Sequence, residues 1–190
     1  MKEAQRIFIA IPLPKETGKY IADALGRWRW LSVRWIPEER WHISVIPPFS
    51  VLASEISAVQ RVIQSIAEKT KPFSITFDAV RFAPEGVTAR MVWVVGPAFQ
   101  RLQGLREEIE REFVFNKTPS LFRRPKQKLT PHVTVARFQE GELRGLEEKT
   151  NTLQKIDISF PINEIAVLKS LPVSSAEYEI LALFHMAGTR

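Results

Sequence analysis

Trp41-His42-Ile43-Ser44-Val45-Ile46 and Pro131-His132-Val133-Thr134-Val135-Ala136-Arg137 are the two stretches that decide how this chain is read. Each holds the pattern histidine, aliphatic, hydroxyl, aliphatic. On an extended strand side chains alternate between faces, so each histidine shares a face with its hydroxyl residue, about 6.6 Å further along. Ile43, Val45, Val133 and Val135 then point the other way, into a core. One such strand arises readily by chance. Two copies, using two of only three histidines in 190 residues, point to paired function.

Working outward, Arg6–Ile11 reads as a β run closed by Pro12 and Pro14, and residues 16–31 carry apolar positions at helical spacing. Residues 33–36 read as a short strand, 37–40 as a turn and 41–46 as a strand stopped by Pro47-Pro48. Ser54 suits the N-cap of a helix with Ile56, Val59, Ile63, Ile66 and Ala67 on one face. Strands are expected at 73–82 and 89–95, joined through Pro84-Glu85-Gly86, followed by a helix over 99–115. Residues 116–130 form a polar, basic loop before the second motif strand, 132–137. A helix over 143–153 and strands at 156–162, 164–169 and 178–186 complete the chain. Strand runs and helices without strict βαβ alternation imply an α+β fold, mainly antiparallel. The element order roughly repeats, with no low-complexity linker. A single unit over 1–190 is therefore expected, built of two interlocked lobes with one histidine motif each.

Lys and Arg total 27 against 21 Asp and Glu, a net charge of +6, which suits an anionic partner or an ordinary basic surface. Without cysteine there is no disulfide, thiolate metal site or cysteine nucleophile. The first apolar run, Ile7–Leu13, is broken by Pro12 and too short to span a bilayer or to serve as a signal sequence. A soluble, cytoplasmic chain, monomeric and without a membrane partner, is the expectation.

Paired histidines suit acid–base work on a phosphate ester. Opening a cyclic phosphodiester needs a base to deprotonate water and an acid to protonate the departing sugar oxygen. Two imidazoles titrating near neutrality can hold those opposite states, each contributing about 10²–10⁴-fold. Ser44 and Thr134 can hydrogen-bond the non-bridging oxygens. Such a site needs no nucleophilic side chain, no metal and no cofactor. Neither motif contains a carboxylate to complete a metal site, and the chain has no G-x-S-x-G elbow, P-loop or G-x-G-x-x-G.

These residues resemble the 2H phosphoesterase superfamily, in its 2′-5′ RNA ligase-like, or RNA 2′,3′-cyclic phosphodiesterase, branch. Arg6–Ile11 is similar to the opening strand, Val33-Arg34-Trp35-Ile36-Pro37 to the run into the first motif, and Leu168-Lys169-Ser170 with Tyr178–Leu181 to the closing strands. Ser44 stands where threonine is usual. Pro47-Pro48-Phe49 replaces a lysine, an aromatic and a Leu-Gly turn, and looks more like a sister branch. The resemblance implies a bilobal, pseudo-twofold fold with flanking helices and a central cleft. It implies hydrolysis of RNA 2′,3′-cyclic phosphate ends or cyclic nucleotides to 2′-phosphates, with His132 activating water, His42 protonating the leaving group, and Ser44 and Thr134 holding the phosphate. A 2′-5′ RNA ligase or 2′-5′ phosphodiesterase at the same site is one alternative, and a non-catalytic RNA-binding module another.

Arg123 and Arg124, with Lys126 and Lys128, suit a phosphate-tracking loop or a solvated one. Arg137 belongs to the second motif, but strict alternation turns it away from His132 unless a bulge intervenes. Arg90 suits a phosphate contact or the surface, and Phe8 a base stack or core packing. Tyr178 is a candidate through the resemblance alone. His185 reads as a partly buried structural histidine, and Trp41 as a rim to the cleft.

Overall fold

The structure, a computed structural model, describes residues 4–84, 88–125, 129–139, 142, 152–171 and 177–188. The strands are β1 (Ala4–Pro12), β2 (Arg34–Trp35), β3 (His42–Leu52), β4 (Phe73–Ala83), β5 (Met91–Val95), β6 (His132–Arg137), β7 (Thr152–Ile162), β8 (Glu164–Ser170) and β9 (Tyr178–His185). The helices are α1 (Lys15–Leu25), α2 (Ile56–Lys69) and α3 (Gln100–Phe115). Among the described residues all nine strands join one sheet in the order β7-β4-β5-β6-β3-β1-β8-β9, with β2 pairing to β6. Every pairing is antiparallel.

The two motif strands meet at the middle of this order. β3 and β6 are registered on Ile43 opposite Val133, and the sheet extends outward on each side. One flank, β3-β1-β8-β9, is built from both ends of the chain; the other, β6-β5-β4-β7, from its middle. Each flank holds one histidine strand.

Alternation sorts the two faces. Ile7, Ile9 and Ile11 of β1, Ile43 and Val45 of β3, Val92 and Val94 of β5, Val133 and Val135 of β6, and Ile165 and Val167 of β8 are buried in one core. They are covered by the apolar stripes of the helices, Ile21 and Leu25 of α1, Val59, Ile63 and Ile66 of α2, and Leu102, Leu105, Ile109 and Phe113 of α3. Each buried aliphatic side chain contributes about 1.5–3 kcal/mol. α2 lies against α3, β8 and β9, and α1 against β7. With the helices holding that face, the opposite face of the central strands is left for the cleft.

Several expectations change. The first helix stops at Leu25 and tightens into a 3₁₀ turn over Gly26–Trp28, which lets Arg27 Nε and Trp28 Nε1 both donate to Gln154 Oε1 on β7, each at 3.0 Å. Ser54 does not cap α2. It lies in a 3₁₀ turn, Ala53–Glu55, where the Glu55 carboxylate accepts the N–H groups of Leu52 (3.2 Å) and Ser120 (3.0 Å). Nor do Pro47 and Pro48 end β3, which runs on to Leu52. Ile7 pairs with Phe49 and Ile9 with Ile46, so the prolines occupy a register shift where a ladder N–H is not required. The helix expected over 143–153 lies outside the described residues, except that Thr152 and Leu153 open β7. The hairpin tip at Glu85-Gly86 is likewise outside them, as are Lys126 and Lys128. No helix among the described residues is long and apolar enough to cross a membrane.

Candidate active site

His42 and Ser44 on β3, and His132 and Thr134 on β6, are half-buried, while Ile43, Val45, Val133 and Val135 between them are fully buried. One residue either side of the Ile43–Val133 pair, the antiparallel register sets His42 opposite Thr134 and Ser44 opposite His132. All four side chains therefore meet on the uncovered face, each histidine across from the other motif's hydroxyl.

The two rings are held alike. His42 Nδ1 lies 2.9 Å from the Arg40 carbonyl oxygen, and His132 Nδ1 lies 2.7 Å from that of Thr130. A carbonyl only accepts, so each Nδ1 carries its hydrogen and donates it. That leaves Nε2 of each ring as a lone pair when neutral and a donor when protonated.

The walls differ. His42 has Phe8 at 5.1 Å between ring centroids and Tyr178 edge-on at 5.3 Å. Phe8 is 5% exposed and belongs with Ala10, Ala166 and Leu168 to a small apolar cluster on the cleft face, with Tyr178 against it. That burial leaves Phe8 no face to offer a base; it backs His42. The Tyr178 hydroxyl donates to the Glu39 carbonyl at 3.3 Å, and Arg40 pairs with Glu177 at 2.9 Å, which clamps the start of β9 to the approach to β3. His132 instead lies flat on Trp93, centroids 3.8 Å apart and planes 23° from parallel.

Arg137 reaches the cleft because β6 bulges. Trp93 pairs with Thr134 but Val92 with Ala136, so Val135 is an extra residue, and alternation resumes with Arg137 on the face of Thr134. β3 repeats the device: Ala10 pairs with Ser44 but Ile9 with Ile46, which makes Val45 the extra residue and returns Pro47 to the cleft face. A small cavity of about 80 Å³ adjoins His132, lined by Ser44, Pro47, Pro125, Leu129, Thr130 and the buried Arg106 of α3. Arg106 pairs with Glu110 at 2.7 Å.

Arg90 is exposed ahead of β5, where its backbone binds Ala83 and Phe138. Arg123 and Arg124 lie in the loop after α3, and Arg123 donates to the carbonyls of Phe122 (2.8 Å) and Ser120 (3.4 Å) in its own loop. Among the described residues of that loop, Pro125, Leu129 and Thr130 line the small cavity beside His132. Trp41 is 2% exposed and donates Nε1 to the Ile36 carbonyl at 3.0 Å, so it anchors β3 from the core rather than rimming the cleft. His185 is exposed, not partly buried, and its Nδ1 lies 3.1 Å from Glu164. Trp93 and Arg106 were missed by sequence reasoning. Trp93 alternates with Val92 and Val94, which shows that it leaves the core but not what it meets.

Burial pushes both imidazoles below their ordinary range, against the raising effect of their carbonyl partners. His42 carries two further lowering influences, the positive charges of His132 and Arg137. Burial also raises the Tyr178 phenol, which keeps it protonated at neutral pH.

The mostly antiparallel sheet with flanking helices is the 2H phosphoesterase fold expected from the sequence. The sequence matches the 2′-5′ RNA ligase superfamily over residues 19–172, and the chain belongs to that family. It is 26% identical over 185 residues to the RNA 2′,3′-cyclic phosphodiesterase of Geobacillus stearothermophilus; the alignment covers 95% of this chain, which spans 57% of that relative's length. Among solved structures, TT0787 of Thermus thermophilus superposes with a TM-score of 0.74 at 18% identity, over 97% of this chain and 100% of the other. E. coli LigT complexed with 3′-AMP gives a TM-score of 0.74 at 18% identity, over 97% and 99%.

Proposed function

We propose that this chain hydrolyses RNA 2′,3′-cyclic phosphate ends to 2′-phosphates without a metal, with His42 and His132 as its acid–base pair. The observation that carries this reading is the matched fixing of the two imidazoles, each by an Nδ1–H bond to a carbonyl two residues earlier. The family membership and the Geobacillus stearothermophilus relative support the choice of substrate. The chain acts as one unit of two interlocked lobes, each supplying one motif to the cleft.

In the reaction, one Nε2 takes a proton from water as the water oxygen attacks phosphorus. The bond from phosphorus to the 3′ oxygen breaks, and the other Nε2 delivers its proton to that oxygen. The product is a 2′-phosphate beside a free 3′-hydroxyl, and the two rings exchange protons with solvent to reset. Ser44 and Thr134 donate to the non-bridging oxygens as charge gathers there.

The family resemblance allots water activation to His132 and leaving-group protonation to His42. The charges around the rings favour the opposite. The charge of Arg137 disfavours a positive His42, whereas the indole face of Trp93 offers a cation–π contact to an imidazolium on His132. We therefore assign His42 to water activation and His132 to leaving-group protonation.

The pH dependence follows. The kcat/KM profile reports the free protein, where one ring must be neutral and the other protonated. Both rings titrate below the ordinary histidine value of about 6.5, so the singly protonated pair is most populated below that pH. The profile is expected to be a bell with its maximum on the acid side of 6.5, falling as pH rises toward 8 through loss of the His132 proton. A maximum above pH 7.5 would contradict this environment.

The proposal is tested by incubating the protein, in EDTA, with an oligoribonucleotide ending in 2′,3′-cyclic phosphate. Conversion to the 2′-phosphate is expected. A strict requirement for a divalent metal, or binding without turnover on any cyclic phosphate or 2′-5′ linkage, refutes it; the second outcome favours a binding module.

A further inference from the structure

The segment that leads from α1 into β2 alternates arginine with tryptophan. Residues 26–36 hold Arg27, Trp28, Arg29, Trp30, Arg34 and Trp35 and no acidic side chain. Backbone bonds fix its course, from the Arg29 N–H to the Gly26 carbonyl (3.3 Å) and from the Leu31 N–H to the Trp28 carbonyl (2.9 Å). Leu31 anchors it in the core. Trp28 and Trp35 have structural partners. Trp28 Nε1 donates to Gln154, and its ring lies 5.8 Å from the Arg27 guanidinium. Trp35 packs against the core with the Arg29 guanidinium over its ring at 4.7 Å.

Trp30 is 71% exposed, in a residue type that is mostly buried, and it is the one large apolar side chain of residues 26–36 that stands in water. Arg27 and Arg29, its neighbours along the chain, are exposed as well. Glu38 lies 3.8 Å from Arg29, beyond hydrogen-bond length and open to solvent, so it holds that cation loosely. An open indole flanked by guanidiniums suits a chain of unpaired bases joined by phosphates. The face of any base can stack on the indole while the cations follow the backbone. Entry into a bilayer would need an apolar face, which a single ring among cations does not make. The segment is also tied to the strand that carries the chemistry. β2 pairs Arg34 with Arg137 and Trp35 with Ala136 of β6, and chain length keeps Trp30 within about 30 Å of Thr134.

Resting on the functional reading above, we propose that Trp30, flanked by Arg27 and Arg29, is a docking site for single-stranded RNA outside the catalytic cleft. It holds the body of a strand whose 3′ end occupies the cleft. The protein then favours the ends of oligoribonucleotides over cyclic mononucleotides and dinucleotides.

The test uses a fluorescein-labelled decaribonucleotide ending in a 2′-phosphate, long enough to span that distance, with binding read by fluorescence anisotropy. Trp30→Ala is expected to weaken binding about tenfold, the scale of one base–aromatic stack. Trp30→Phe keeps a stacking face and should restore most of the affinity. Arg29→Gln should weaken binding and make it less steeply dependent on salt. The same strand annealed into a blunt duplex offers no unpaired base, so its binding should not change in Trp30→Ala. In turnover, Trp30→Ala should raise KM about tenfold for the decanucleotide 2′,3′-cyclic phosphate, with kcat unchanged. The KM for a dinucleotide 2′,3′-cyclic phosphate should stay as it is. The docking site is overturned by equal decanucleotide binding in Trp30→Ala and the unmodified protein, or by an equal loss on the duplex or the dinucleotide. It is also overturned if Trp30→Phe fails to restore binding, if Arg29→Gln leaves the salt dependence unchanged, or if the Trp30 effect is confined to phosphatidylserine vesicles. Trp30-dependent binding of the decanucleotide with no turnover of any cyclic phosphate overturns the functional reading instead and leaves the docking site standing.

Discussion

His42→Ala and His132→Ala are each expected to lower kcat on a 2′,3′-cyclic phosphate RNA end by about 10²–10⁴-fold, the range for a positioned general acid or base. The double variant should lose little more than either single one, because a lone imidazole cannot complete the proton exchange. The two are distinguished by a substrate whose leaving group needs no acid. On an aryl phosphodiester with a nitrophenolate leaving group, the variant lacking the acid should regain most of its activity, and the variant lacking the base should not. The positive surroundings of His42 make His132→Ala the variant expected to recover. Recovery by His42→Ala instead would restore the roles that the family resemblance implies. Full activity in both variants would remove the histidines from the mechanism altogether. Both rings are half-buried on the cleft face and outside the main core, so the variants should remain folded, which circular dichroism checks.

Thr134→Val should cost about 10²–10³-fold in kcat, the usual loss for one donor to a developing oxyanion. Valine keeps the branched shape and removes only the hydrogen bond, so KM should move far less than kcat. Thr134→Ser should restore most of the rate, since the hydroxyl returns without the methyl that fixes its rotamer. Ser44→Ala should behave as Thr134→Val does, because the strand register places the two hydroxyls as counterparts, each across from the other motif's histidine. A KM effect with unchanged kcat would make these hydroxyls binding groups rather than stabilisers of transition-state charge.

The parts of the fold that were legible in sequence are those fixed by local alternation. The second motif strand has the expected bounds, His132–Arg137, because Val133 and Val135 alternate cleanly with the polar residues. The helix expected over 99–115 is found at Gln100–Phe115, where Leu102, Leu105, Ile109 and Phe113 form one stripe. What stayed hidden depends on pairing between distant strands. Trp93 becomes a partner of His132 only because β5 lies beside β6. Arg137 faces the cleft through a bulge that no residue of β6 announces by itself. Pro47 and Pro48 look like a strand terminator until β1 supplies the register shift that accommodates them. The two-residue strand Arg34–Trp35 likewise takes its place only from pairing with β6, about a hundred residues away. The pairing of the histidines was visible because each motif carries its own local signature. Their different surroundings were not, because tertiary neighbours create them.

The seam between β3 and β6 has one more consequence. The two motif strands are registered through one residue pair, Ile43 and Val133, both fully buried on the helix-covered side. The spacing of the two motifs is thus gauged from behind, by the bulk of two aliphatic side chains buried on the helix-covered side. Closely packed interiors respond to single methylenes. Exchanging one of these two buried aliphatics for another would therefore alter the reach between the two imidazoles while leaving every polar group of the cleft as it is.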